Sequence, residues 1–346
     1  MKRVLITGGS GFLGLHLARY FHAKRIPISI IDIQPYPTEE YPTGITFIHG
    51  DIRDPKAVAK AMRGVDLVIH AAAALPLWKA QDIYTTNIDG TENILRAAKK
   101  NRVRQVIYIS STAVYGVPKK HPIVETDPVH GVGPYGESKI AAEALCRRYR
   151  DEGMFVTVLR PKTFVGTHRL GVFEILFDWI KDGKKIPVFG SGENRYQLLD
   201  VDDLAEAIYR LTKAGRNAND TFNIGALRFR TVKKDLEAVF SYADSGSEIF
   251  PVPALPLKIV LRFFELLHLS PLYQWVYETA DKDSFVSIAK LTNVLKWKPA
   301  HSNSEALIKS YRWYERNYKV VKSHTTGVTH TTGWNQGILG FFKRFL

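Results

Sequence analysis

Through the first half of the chain, short apolar runs alternate with segments whose apolar positions recur three, four or seven apart. The runs VLIT, ISIID, DLVIH, QVIYIS and FVTVLR are almost continuously hydrophobic, the pattern of strands buried on both faces. Between two of them, Ile83, Asn87, Ile88, Ile94 and Leu95 mark a helical face over residues 82–100. Strand alternating with helix predicts parallel pairing through right-handed crossovers, hence an α/β fold built on a doubly wound parallel sheet.

Beyond Pro161 the pattern loosens. VDDLAEAIYRLTKAG and TFNIGA predict a helix and a strand that return to the sheet. GVFEILFDWIKDG and residues 231–318 predict a smaller C-terminal lobe beside its edge. PVPALPLKIVLRFFELLHLSPLYQWVY is an unusually apolar helical stretch broken by Pro271. A Ser/Thr/Gly-rich linker over 319–333 then leads to a tail, 334–346, in which Trp334, Ile338, Phe341, Phe342 and Phe345 share one helical face beside Lys343 and Arg344. Such a tail can lie in a membrane interface as a peripheral contact, or dock on a partner or on the chain's own apolar lobe.

Composition narrows the class. With 45% hydrophobic residues in 346, the chain can bury a large core, as one α/β unit or two joined lobes. No apolar run reaches the length that spans a bilayer, and Met-Lys-Arg leads directly into a strand, so no cleavable signal is expected. The single cysteine, Cys146, excludes an internal disulfide and fits a reducing cytoplasm. A net charge of +14, from 48 Lys and Arg against 34 Asp and Glu, favours anionic partners or is a solvated basic surface. No zinc-finger or RNA-binding signature accompanies it, which argues against nucleic acid. His324 and His330 have no cysteine or carboxylate beside them, so no metal is expected.

The chemistry begins in VLITGGSGFLG. Gly8, Gly11 and Gly14, with Gly9 between them, follow a strand and open a helix that starts at Phe12 and Leu13. Glycine lets the backbone turn tightly and approach a pyrophosphate, while free N–H groups at the helix start receive the phosphates. Asp32 ends the second strand, eighteen residues beyond Gly14, where a carboxylate holds the ribose hydroxyls of NAD and repels the extra phosphate of NADP. Tyr135 and Lys139 in YGESK lie four apart, on one helix face, where an ammonium lowers the pKa of a neighbouring phenol and suits it to trade protons with an alcohol. ISSTAVYG places Ser110, Ser111 and Thr112 at the carboxyl edge of the sheet, where open α/β sheets take their ligands. Leu75, Leu77 and Trp78 follow the fourth strand on a loop that borders the substrate in such folds, or pack on the lobe interface.

TGGSGFLG, Asp32, GDIRD, HAAA, NIDGTENIL, SSTAVYG, YGESK and LRP occur in the order and at the spacings of the extended short-chain dehydrogenase/reductase family, the NAD-dependent epimerases and dehydratases, which the chain closely resembles over residues 1–215. The resemblance implies a Rossmann-type NAD-binding domain over 1–165 with 195–225 returning to its sheet, a substrate lobe over 166–194 and 226–318, and a homodimer. It implies Tyr135 as acid/base, Lys139 on the nicotinamide ribose and Ser111 on the reacting oxygen. It also implies cofactor contacts from Asp51, Ile52, Ala71, Ala72, Asn87 and Pro161, and leaves His70 structural. Thr112 and Ala113 stand where the dTDP-sugar dehydratases carry an acid pair, which argues against dehydration. Thr163 and Tyr196, the latter beside Arg195, stand where nucleotide-sugar 4-epimerases carry an asparagine and an arginine for the diphosphate. HAAAALPLW and the apolar segment also resemble the 3β-hydroxysteroid dehydrogenase-like branch. The reading is hydride transfer at a secondary alcohol, foremost epimerisation of a nucleotide-linked sugar. Thr112, Thr163, Arg195, Leu75 and Trp78 join Ser111 as the candidate substrate contacts. The alternatives are oxidation of a lipophilic or lipid-linked alcohol, and a non-catalytic NAD-binding regulator.

Overall fold

The computed structural model describes residues 3–76, 78–168, 170–266 and 274–323. Leu77, Pro271 and the tail with His324 and His330 lie outside the described residues. Along the chain come β1 (Val4–Thr7), α1 (Phe12–Ala23), β2 (Ile28–Asp32), β3 (Thr46–His49), α2 (Pro55–Ala61), β4 (Leu67–His70) and α3 (Ala80–Tyr84). There follow α4 (Gly90–Lys100), β5 (Gln105–Ile109), α5 (Gly133–Asp151), β6 (Val156–Pro161), β7 (Phe164–Val165), α6 (Phe173–Lys181) and β8 (Ile186–Phe189). The remainder is β9 (Leu199–Asp200), α7 (Val201–Leu211), β10 (Thr221–Ile224), α8 (Val232–Ala243), β11 (Ile249–Val252), α9 (Ala254–Leu266), α10 (Gln274–Thr279), α11 (Ala289–Leu295), α12 (Asn303–Arg316) and α13 (Tyr318–Ser323).

Seven strands form one parallel sheet in the order β10-β6-β5-β4-β1-β2-β3. β1 is its pivot, pairing Val4 with Ile28 on one side and with Leu67 on the other. Period-two alternation sorts the side chains. Val4, Ile6, Ile30, Ile69 and Ile107 enter the core shared with α1 and α7, whereas Leu5, Ile31, Val68, Val106 and Tyr108 enter the core shared with α2, α4 and α5. Burial on both faces explains why these strands read as continuous apolar runs. The strand order reverses between β1 and β4, so the loops leaving their carboxyl ends diverge and open a crevice, the switch point of an open α/β sheet.

The helix expected over 82–100 forms, with one π turn at Thr85–Asp89 joining α3 to α4. Helix α7 and strand β10 return to the sheet as the pattern predicted. A separate core of Phe177, Trp179, Val188, Val239, Tyr311 and Tyr314 joins α6, β8, α8 and α12, where β8 pairs with β11. No helix among the described residues is long and apolar enough to cross a membrane.

Candidate functional site

The crevice beside β1 is lined by the glycine turn, the ends of β2 and β4, and the first half of α5. Backbone contact makes two glycines of the turn irreplaceable. Gly8 has φ +68°, and a Cβ there would lie 2.8 Å from the Ala72 backbone. A Cβ on Gly14 would lie 2.5 Å from the carbonyl oxygens of Gly8 and Gly9, so only glycine lets the first turn of α1 sit against the loop. Gly11 caps α1 in an extended conformation with no side chain over the helix start, leaving the first N–H groups to an anion. Phe12 and Leu13, both buried, line the same wall.

At the far end of the crevice, Asp32 accepts hydrogen bonds from the backbone N–H of Ser10 at 3.0 Å and of Gln34 at 2.9 Å. These bonds lock the carboxylate at the end of β2, and burial raises its pKa against their opposing pull. Asp51 and Ile52 leave β3 on the adjoining wall. Arg53 donates to both oxygens of Asp51 and holds that carboxyl below its ordinary pKa, although burial alone would raise it. Ala71 and Ala72 follow His70 on the β4 side. His70 itself is buried between the hydroxyls of Thr7 (2.7 Å) and Thr91 (3.0 Å), and burial pushes its pKa down to about 3. It is a neutral strut beneath the wall, in line with the structural role expected of it.

The π turn decides how the opposite wall is built. It turns Asn87 inward, where its side-chain oxygen accepts from the Ala74 N–H at 2.9 Å and its amide donates to Ser138 at 3.0 Å. Asn87 is 1% exposed, so it braces the loop after β4 against α5, and Thr86 lines the crevice instead. Leu75 and Trp78 lie on that loop and face the crevice.

Tyr135 and Lys139 line the inner end. The Lys139 ammonium donates to the Ile109 carbonyl at 3.0 Å and stands 5.7 Å from the centre of the Tyr135 ring. Ser111, two residues beyond β5, acts on the Tyr135 phenol against the rise that burial imposes, and its oxygen accepts from the Ala113 N–H at 3.1 Å. Burial drives the two ionisable groups in opposite directions: the phenol up to about 12 and the amine down to about 8. The lowering expected from the lysine neighbour is not among the causes at Tyr135: burial raises the phenol, and the pull against it comes from Ser111. Pro161 closes the end of β6, buried.

The remaining candidates lie apart from these. Thr112 is buried, and its hydroxyl has no protein partner. The Thr163 and Tyr196 hydroxyls approach to 3.4 Å, beside the buried Lys162, whose ammonium donates to Ser284 at 2.7 Å. Arg195 is drawn onto Asp283 at 2.8 Å and over the Phe285 ring at 4.3 Å. Sequence reasoning missed Ser10, Gln34, Arg53, Thr86 and Phe164 on the crevice wall. Ser10 and Arg53 lie within the TGGSGFLG and GDIRD runs, whereas Gln34, Thr86 and Phe164 belong to no motif, and only the folded turns bring them there. Among the described residues, Asp200, Asp203 and His301 could converge on an ion, but Lys309 already sits 2.9 Å from both oxygens of Asp200.

Comparison with known proteins agrees with this geometry. The model of the NAD dependent epimerase/dehydratase family matches residues 4–225. The chain is 34% identical to the uncharacterized protein y4nG of Sinorhizobium fredii over 92% of this chain and 80% of that protein. It is 27% identical to a UDP-glucose 4-epimerase of Lactobacillus helveticus, over 92% of this chain and 98% of the relative. In fold it is similar to the UDP-glucose 4-epimerase of Thermotoga maritima, with a TM-score of 0.77 and 23% identity over 91% of this chain and 99% of that one.

Proposed function

This chain belongs to the NAD-dependent epimerase/dehydratase family, and from that premise we propose that it epimerises a secondary alcohol of a nucleotide-linked sugar. NAD, when bound, supplies reversible two-electron oxidation of the carbinol carbon and carries a positive charge in its oxidised form. The crevice fits it, because the Gly8 and Gly14 cradle leaves room only for backbone and Asp32 is a fixed carboxylate where a ribose needs an acceptor. We assign the turn from Gly8 to Gly14, Asp32, Asp51, Ile52, Ala71, Ala72, Lys139 and Pro161 to holding it, with Asn87 bracing the wall.

Tyr135, in its tyrosinate form, then takes the proton of the reacting hydroxyl and, as a phenol, returns it after the keto sugar has turned over. Ser111 hydrogen-bonds the reacting oxygen beside the phenol, which sets the line of proton transfer. Lys139 lends its charge to the tyrosinate form. We place the substrate between this end of the crevice and the lobe of residues 166–194 and 226–318, with Thr163, Tyr196 and Arg195 on its diphosphate side and Thr112, Leu75 and Trp78 beside the sugar. The meeting of Tyr135 and Lys139 on the crevice that the glycine turn opens, with Ser111 two residues beyond β5, carries the reading. The similarity to a UDP-glucose 4-epimerase along nearly its whole length supports the sugar, and the lack of an acid pair at Thr112 and Ala113 speaks against dehydration.

A second reading, oxidation of a lipophilic or lipid-linked alcohol, draws on Leu75 and Trp78 on the wall and on Leu255 and Ile259, 72% and 59% exposed on α9. One experiment separates them. Cofactor is extracted from the purified protein and identified. The protein is then incubated with UDP-sugars and, separately, with hydroxysteroids while NADH absorbance is followed. The proposal expects retained NAD and interconversion of a sugar with no net NADH. Stoichiometric NADH from a hydroxysteroid, with UDP-sugars unchanged, would replace it with the second reading.

A further inference from the structure

Behind Lys139, on the side away from the crevice, lies a charged pair that the proton-transfer scheme does not use. Tyr135, Lys139 and Glu143 follow one another at intervals of four along α5 and share its inward face. Glu143 and Arg160 are 6% and 3% exposed. The Arg160 Nε donates to one carboxylate oxygen of Glu143 at 2.9 Å, and a terminal nitrogen donates to the other at 2.5 Å. A third donor, the Ser110 hydroxyl, reaches the same carboxylate at 2.5 Å. Arg160 is held in turn by the Tyr115 hydroxyl at 2.7 Å, which donates to the Asn223 side chain at 2.8 Å.

These contacts bind two consecutive residues at the end of β5 to one helix. The Ile109 carbonyl accepts from Lys139, and the Ser110 hydroxyl donates to Glu143. A slip of α5 along the sheet would break both together. We propose that Glu143, clamped by Arg160 and Ser110, is a positioning residue that supports the Lys139 ammonium and holds α5, with Tyr135 on it, in register on the end of β5. The inference rests on the assignment of Tyr135 and Lys139 to proton transfer, and not on the identity of the substrate.

The groups facing Lys139 leave Glu143 as its electrostatic support. From β5 comes the Tyr108 ring, 5.0 Å from the ammonium, and from β4 the neutral His70. From α5 itself come Tyr135, Glu143 and Cys146, the last with its thiol pushed above the ordinary range by burial. Arg160, on β6, stands behind Glu143 and is bonded to it. Burial pulls the Lys139 pKa down, and the Glu143 charge acts against that pull.

The test is a pH titration of Lys139 by NMR in the NAD-loaded protein carrying ¹³C-labelled lysine, with its signal identified by its loss in Lys139→Arg. No substrate enters, so a wrong sugar assignment leaves the result intact. Glu143→Gln keeps acceptors for Arg160 and Ser110 while removing the charge, and Glu143→Gln/Arg160→Gln keeps a paired, neutral network should the single variant fail to fold. The expected result is a Lys139 midpoint about one pH unit lower than in the unaltered protein, in either variant. Midpoints unchanged in a folded variant would overturn the proposal. Failure of both variants to fold would overturn it too, by making the pair a structural clamp alone.

Discussion

Tyr135 illustrates how one side chain answers to several neighbours. Burial raises its pKa to about 12, so at neutral pH it is a phenol and needs cationic neighbours to give up its proton. Tyr135→Phe removes the exchangeable proton and leaves the ring in the wall. The expected outcome is a fall of about 10²- to 10⁴-fold in kcat with NAD still retained, read by steady-state rates and cofactor extraction. Gly14 makes the complementary case. Gly14→Ala places a methyl group 2.5 Å from two carbonyl oxygens, which displaces α1 from its loop. The purified variant is expected to carry little or no NAD in an extraction assay. Both positions stand out in the sequence, because each belongs to a motif whose residue type is dictated by its own chemistry.

At the scale of elements, what matters is how helices are tied to the sheet and to one another. The π turn within residues 80–100 carries Asn87 inward to bond Ala74 and Ser138. Asn87→Leu would leave the buried Ala74 N–H without its acceptor, while the Ser138 hydroxyl keeps the Tyr135 carbonyl, a loss of about 1–3 kcal/mol measurable by urea unfolding. Periodicity gave the helix but not this turn, since a single extra residue per turn barely disturbs a three-and-four pattern. On the other face, Lys309 of α12 bridges Asp200 and Asp202 at the start of α7, while His16 of α1 reaches Asp202 at 2.7 Å. Asp200 is fully buried. Lys309→Met leaves that carboxylate with the Asp202 N–H at 2.8 Å and His301 at 3.8 Å, and is expected to destabilise the fold by about 3 kcal/mol, read from the denaturation midpoint. These residues lie more than 100 positions apart in some pairs, and nothing local in the sequence announces them.

At the scale of the whole molecule, His70 links the core to pH. Its native ring resists protonation down to about 3, whereas in an unfolded chain it accepts a proton near 6.5. Its contribution is therefore fully present above pH 6.5 and is lost as pH falls from there toward 3. Unfolding free energy measured across that window is expected to drop on the order of 5 kcal/mol from this group alone, and His70→Gln should flatten the slope.

The amino-acid sequence by itself determined the alternation of strand and helix, the parallel sheet, the glycine turn with Asp32, and the Ser111, Tyr135 and Lys139 set. Each is written in residues close together in the chain: apolar periodicity follows from burial on both faces, and glycine or tyrosine from a local steric or chemical demand. Only the tertiary structure decided that Thr86 rather than Asn87 faces the crevice, that Arg195 is drawn onto Asp283, and that Glu143 stands behind Lys139 in the grip of Arg160. Those outcomes depend on which buried polar group finds which partner across the sheet. A buried charge or amide must be paired wherever the fold brings it, and its partner comes from whichever strand or loop the packing places within hydrogen-bond reach.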